Sequence, residues 1–273
     1  MPSTYAHYRL GQEVRKKVPE EAKKVIEQNP EAFLIGLHGP DILFYYKPLQ
    51  SNPVNQIGYG MHERPGKEFF TRAARIVKLH KKEPAYLAYT YGFICHFALD
   101  VTCHGYIDEK IAASGVSHAE IEVEFDRELM VRDGLNPIRH CLTGHINPST
   151  KNAAVIQDFY KGVGARQVEA ALKGMIFNNK LLLAPSKIKR QLVYMLLRIS
   201  GNYKEMHGLM VNFTKNPACA DSTLRLLQLY KEASKLAVSL ITEYEGFLNE
   251  EIPLNAIYNY TFGTRLLESE DRK

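Results

Sequence analysis

The chain has 273 residues, 45% of them hydrophobic and 24% charged, and a formal net charge of +5. That composition excludes a disordered, collagen-like or disulfide-scaffold protein, and the length suffices to bury a full core. Residues 1–150 balance 18 basic against 18 acidic side chains, while residues 151–273 hold 17 against 12. The excess suits an anionic substrate or a membrane surface and is too diffuse for a nucleic-acid footprint.

The N-terminal MPSTYAHYRL shows no apolar run and no cleavage site, so no secretory signal is expected. Four cysteines without a CxxC read as reduced thiols of a cytoplasmic protein. Helical periodicity dominates the chain. Ser3 and Thr4 open a first helix to about Lys17, Pro19 a second, and Pro30 a third that ends at Gly36. Residues 47–63 read as a long loop of Pro, Asn and Gly, of a length that is often functional. Pro65 opens 66–82, Pro84 opens 85–104, and Ser117 caps 118–133. Further helices are expected near 150–176, 186–200, 203–214, 221–249 and 254–266. With no Pro/Gly/Ser-rich linker, residues 1–273 form one all-α domain in this reading.

The most apolar stretch, Tyr86 to Cys103, could span a bilayer by length, but His96 and Asp100 are costly in lipid. A buried core helix bearing a polar site is expected instead, and no transmembrane segment. His96, Asp100 and His104 are spaced by four, so they share one stripe of that helix. In the next helix His118 and Glu122 are again four apart. Two facing helices would thus present three imidazoles and two carboxylates, a donor set that suits Zn²⁺. An unpaired Asp100 in such apolar surroundings would be very unfavourable, so a cationic partner is expected. Two loops and the first helix add Asp41 with His38 nearby, His62, and His7. His38, His80, His140 and His145 lack a ligand spacing and are weaker candidates. Neither a P-loop, a GxSxG elbow nor a GxGxxG occurs.

The order His7, GPD with Asp41, GxxH with His62, His96/Asp100, His104 and His118/Glu122 resembles the zinc-dependent phospholipase C family. That family shares its all-α fold with the S1/P1 nucleases. The resemblance covers roughly residues 1–130 by motif and implies two or three zinc ions. His62, His96 and Asp100 would hold one ion, and His104, His118 and Glu122 a second. Asp100 would bridge to a third, which His7 would also bind. Asp41 would act as general base or as a further ligand. The implied reaction is hydrolysis of a phosphoester, phospholipids included, by in-line attack of a metal-activated water. A P1-like nuclease or nucleotidase, and a metal-binding protein without turnover, are the alternatives. Manganese, nickel or iron could replace zinc. Arg64 could contact phosphate or simply face solvent, and Tyr5, Tyr45 and Tyr46 could line an apolar mouth or belong to the core. Secreted members supply a terminal Trp to the third ion. This chain has no Trp, so the free amine of Pro2 could take that place after removal of Met1, or the third site could stay incomplete.

Overall fold

The computed structural model describes residues 4–201 and 203–266. Among them are twelve α-helices and no strand; two isolated bridges, Pro65 with Thr261 and Tyr260 with Leu266, are the only extended pairings. The helices are α1 (Thr4–Val14), α2 (Glu20–Gln28), α3 (Pro30–Gly36), α4 (Pro53–His62), α5 (Gly66–Leu79), α6 (Pro84–Ser114) and α7 (His118–Arg132). The second half adds α8 (Thr150–Gln157), α9 (Ala165–Leu182), α10 (Lys187–Ile199), the single turn α11 (Tyr203–Met206) and α12 (Ala220–Leu248). Short 3₁₀ segments, Gly39–Tyr45 foremost, lie between them.

The long helix α6 is the axis of the molecule. Every residue from Ala85 to Val101 is buried, as an all-round apolar helix must be. Pro84 sits at its first turn, where a missing N–H costs nothing, and Gly115 ends it in the left-handed conformation at φ 68°. Helices α3 and α12 pack along it. At the α3–α6 crossing the two backbones touch through Gly36 and Gly92; a Cβ on Gly92 would run into the Phe33 carbonyl and lie 2.9 Å from Gly36 Cα. Backbone cannot yield as a flexible side chain can. Gly92→Ala should therefore destabilise the protein by about 1–3 kcal/mol, read as a lower midpoint in urea unfolding. An unchanged midpoint would show that the crossing can open without loss.

Five expectations change on structural grounds. Residues 53–62 are helical, because Pro53 occupies the first turn and Asn52 and Asn55 close a reciprocal capping box. The same Pro, Asn and Gly residues read as loop punctuation in sequence. Helix α6 runs ten residues past His104, to the first glycine that can stop it. The expected 150–176 helix is two helices, parted by a turn through Gly162, at φ 83°, and Gly164. The expected 203–214 helix is one α-turn followed by the 3₁₀ turn His207–Leu209. The expected 254–266 helix is a 3₁₀ turn, Ala256–Asn259, that leads into an extended segment pinned by the Pro65–Thr261 bridge. Among the described residues no helix is long and apolar enough to cross a membrane.

One large buried core joins α1 through α9 with α12 and reaches Phe262. A small satellite of Ala184, Val193, Leu197 and Met210 lies beneath α10.

Candidate metal centre

Four helices and one 3₁₀ segment bring the eight polar candidates together. The first turn of α1 is tethered to α7: the backbone N–H groups of Tyr5 and Ala6 donate to Asp126 at 2.9 and 2.8 Å. This capping satisfies helix-end donors in the interior and sets His7 against α6. There the His7 ring stacks on that of His96, with 4.4 Å between centroids, and its Nε2 lies 3.3 Å from Asp100 Oδ1. On α6, His96 Nε2 approaches Asp100 Oδ2 at 3.2 Å, and His104 Nε2 is 3.9 Å from Asp100 Oδ1. On α7, His118 Nε2 lies 3.1 Å from Glu122 Oε1, which is also 3.5 Å from His104 Nε2.

Asp41 comes from the 3₁₀ turn after α3. Gly39 makes that turn possible twice over: its φ of 47° disfavours any side chain, and a Cβ there would enter the His96 ring. His62, the last residue of α4, brings its Nε2 to 3.0 Å from Asp41 Oδ1 and 3.8 Å from Asp100 Oδ2. Three sets of donor atoms fall within 4.8 Å of one another: His7/His96/Asp100, Asp41/His62/His96 and His104/His118/Glu122.

The residues fit zinc on three grounds. The donors are imidazole nitrogens and carboxylate oxygens throughout. The Nδ1–H of His62 donates to the Gly58 carbonyl and that of His104 to the Phe262 carbonyl, each at 2.9 Å. A carbonyl only accepts, so Nδ1 carries a proton in each ring, and in the neutral form the Nε2 lone pair is aimed into the cluster. Finally, both ring nitrogens of His96, Nε2 of His118 and Oε2 of Glu122 are buried without a hydrogen bond. Close approach without hydrogen-bond alignment is what ligands aimed at a common ion would show.

The electrostatics favour a cation as well. Burial raises the carboxyl of Asp100, yet His96 and His104 outweigh it and hold the group well below the usual carboxylate range. Burial likewise opposes ionisation of Asp41, where His96 and His62 prevail, and of Glu122, where His118 and His104 prevail. All three carboxylates are thus ionised at neutral pH. His104 feels burial in the opposite sense, but Asp100 and Glu122 push it up to about 9.

The other candidates lie elsewhere. Arg64 is 71% exposed and leans towards Glu68 at 3.9 Å. Tyr45 is buried, its hydroxyl between Asn179 and Thr4, and burial pushes its phenol well up. The Tyr5 hydroxyl donates to Asp133 at 2.7 Å. His80 stacks on Tyr86 and pairs with Asp158 at 3.1 Å. His38 and His145 face each other, Nε2 to Nε2, at 2.7 Å. Pro2 lies outside the described residues. The contribution missed from sequence is Phe262, whose carbonyl orients His104 and whose ring packs 5.4 Å from that of His62. Its only signal was the extended stretch after Asn259, hidden by apolar spacing that imitates a helix.

An all-α fold that gathers five histidines and two further carboxylates around Asp100 has the donor set of a metal-centred helical hydrolase. The family model described as zinc-dependent phospholipase C matches residues 6–173, which include all eight donors, and the chain belongs to that family. It is a metal-dependent hydrolase of phosphoesters. Comparison with curated proteins and with solved structures gives no match.

Proposed function

We propose that the protein is a phospholipase C-type phosphodiesterase whose metal centre holds two or three zinc ions. Support comes above all from one observation: imidazoles from three helices, His7, His62, His96 and His104, approach the single buried carboxylate of Asp100. In this reading His62 and His96 hold one ion with Asp100, Asp41 lies beside it as the base, and His104, His118 and Glu122 hold a second. His7 and Asp100 would hold a third. Bound zinc would polarise a phosphoryl oxygen and lower the pKa of water towards ~7.

The chain's own groups supply the rest. Asp41, ionised and beside His62, accepts the proton of the attacking water as the new P–O bond forms and the bond to the leaving alkoxide breaks. His62 and His118 are 22% and 35% exposed at their side chains, the most open of the eight donors, and mark the face through which a phosphoester enters. Phe262 and the turn at Gly39 pack around His96.

Asp41→Asn is expected to cut turnover by about 10²-fold or more with zinc content largely kept. Loss of one zinc per chain in that variant would make Asp41 a ligand rather than the base. The function itself is tested by assaying the zinc-loaded protein on p-nitrophenyl phosphorylcholine and bis-p-nitrophenyl phosphate. Turnover is expected; full zinc with turnover of neither would favour a non-catalytic metal protein. We also infer one domain and a cytoplasmic setting. The continuous core supports the first and four unpaired thiols the second.

A further inference from the structure

The helix α10 is inside out. Its inner face holds Arg190, Val193 and Leu197, which suffice for the small satellite core. Its outer face carries Ile188, Leu192, Met195, Leu196 and Ile199, between 50% and 78% exposed. At 100° per residue these five fall within about 100° of helix circumference, a continuous apolar stripe pointing at solvent. Phe177 on α9, 66% exposed, and Leu49, 64% exposed, extend it across an open groove of about 1030 Å³. Scattered exposed apolar residues need no explanation, but a contiguous patch of this kind marks an interaction surface.

The charge around the patch is one-sided. Residues 170–204 contain seven lysines and arginines and no aspartate or glutamate. Lys180, Lys187 and Arg198 stand exposed around the stripe, and Lys47 lies at the groove. Lys173 at the groove is paired with Glu169, and the charged residues of the 170–204 segment itself are all cations, which matches a lipid surface with anionic headgroups, where cations meet phosphates and the apolar side chains enter the acyl boundary. The patch is also joined to the metal centre. Tyr45 lines the groove and ends the same short turn that carries Asp41, and Gly174 of α9 packs against the Tyr45 carbonyl. Met206 lines the groove too, while Gly208, two residues on, touches Ser117 at the start of the His118 helix.

We propose that the outer face of α10, with Phe177 and Leu49, docks the protein on anionic phospholipid membranes. Docking of this kind rests on the phospholipid reading above for its purpose, but its test requires no turnover. Co-sedimentation is measured with vesicles of pure phosphatidylcholine and of phosphatidylcholine mixed with phosphatidylglycerol, in protein with and without zinc. Partition onto the mixed vesicles is expected in both forms, weakening as salt rises from about 50 to about 500 mM. The double variants Ile188→Glu/Ile199→Glu and Lys180→Glu/Lys187→Glu should each lower it about tenfold or more. Both change only exposed side chains, so zinc content and turnover of soluble p-nitrophenyl substrates should stay as in the parent. Several outcomes would overturn the assignment: no binding by the parent, equal binding to both vesicle types, or undiminished binding by both variants. So would a dimer in sedimentation that the Ile188→Glu/Ile199→Glu variant dissolves, which would make a second copy the occupant. Vesicle binding without phospholipid cleavage would leave the docking intact and count against the substrate reading alone.

Discussion

Asp100→Asn is expected to remove at least one zinc per chain and to lower turnover about 10³-fold or more. The substitution keeps shape and volume but takes away the charge that His7, His62, His96 and His104 surround. A catalytic metal contributes several kcal/mol of transition-state stabilisation, and about 4 kcal/mol corresponds to about three decades in rate. Elemental analysis and kcat on p-nitrophenyl phosphorylcholine read the two effects, and far-ultraviolet circular dichroism checks that α6 survives. Buried Ala85–Val101 anchors that helix independently of the site, so helical content should hold. Full zinc with full rate in the variant would remove Asp100 from its bridging role.

Metal removal should be the second large effect. Each ion present at about a hundredfold above its dissociation constant adds about 2.7 kcal/mol to stability, so two ions add about 5 kcal/mol. In a chain of this size about 1 kcal/mol moves Tm by about 2 °C, and dialysis against a chelator should therefore lower Tm by about 10 °C. Zinc added back should restore it. Helix content before melting should change little, because aliphatic and aromatic side chains from α1 through α9 and α12 pack on one another in one large core. A Tm that ignores chelator and zinc alike would mean that the polar cluster is held by its own ion pairs.

The parts of this centre that lie on one helix were legible in the sequence, because i, i+4 spacing survives whatever the helix packs against. His96, Asp100 and His104 on α6 and His118 and Glu122 on α7 are of that kind. The all-α class was equally legible. What resisted was punctuation. Asn52 and Pro53 start α4 and so bring His62 into place, yet the same residue types also make turns. Gly162 and Gly164 split a pattern whose apolar period runs on through α8 and α9. The segment after Asn259 was misread for the opposite reason. Tyr258, Phe262 and Leu266 recur at helical spacing, but their places are set by tertiary contacts, the Pro65–Thr261 bridge and the Phe262 carbonyl on His104. Asp41 was legible only as a loop carboxylate near His38, and its role came from the resemblance, since nothing local in a seven-residue 3₁₀ turn assigns one.

The outward apolar stripe of α10 lies beyond residue 173, where the family match ends. The metal centre and the lipid-facing surface can therefore be varied separately. Substitutions at Ile188 and Ile199 should spare soluble-substrate turnover, and substitutions at Asp100 should spare vesicle binding.

The central claim is that His7, Asp41, His62, His96, Asp100, His104, His118 and Glu122 form one zinc centre. Anomalous diffraction measured on either side of the zinc absorption edge, from crystals of the zinc-loaded protein, tests it most directly. One anomalous peak is expected among Asp41, His62, His96 and Asp100, and a second among His104, His118 and Glu122. Crystals with no peak at either place, or with zinc held only by residues outside this cluster, would contradict it.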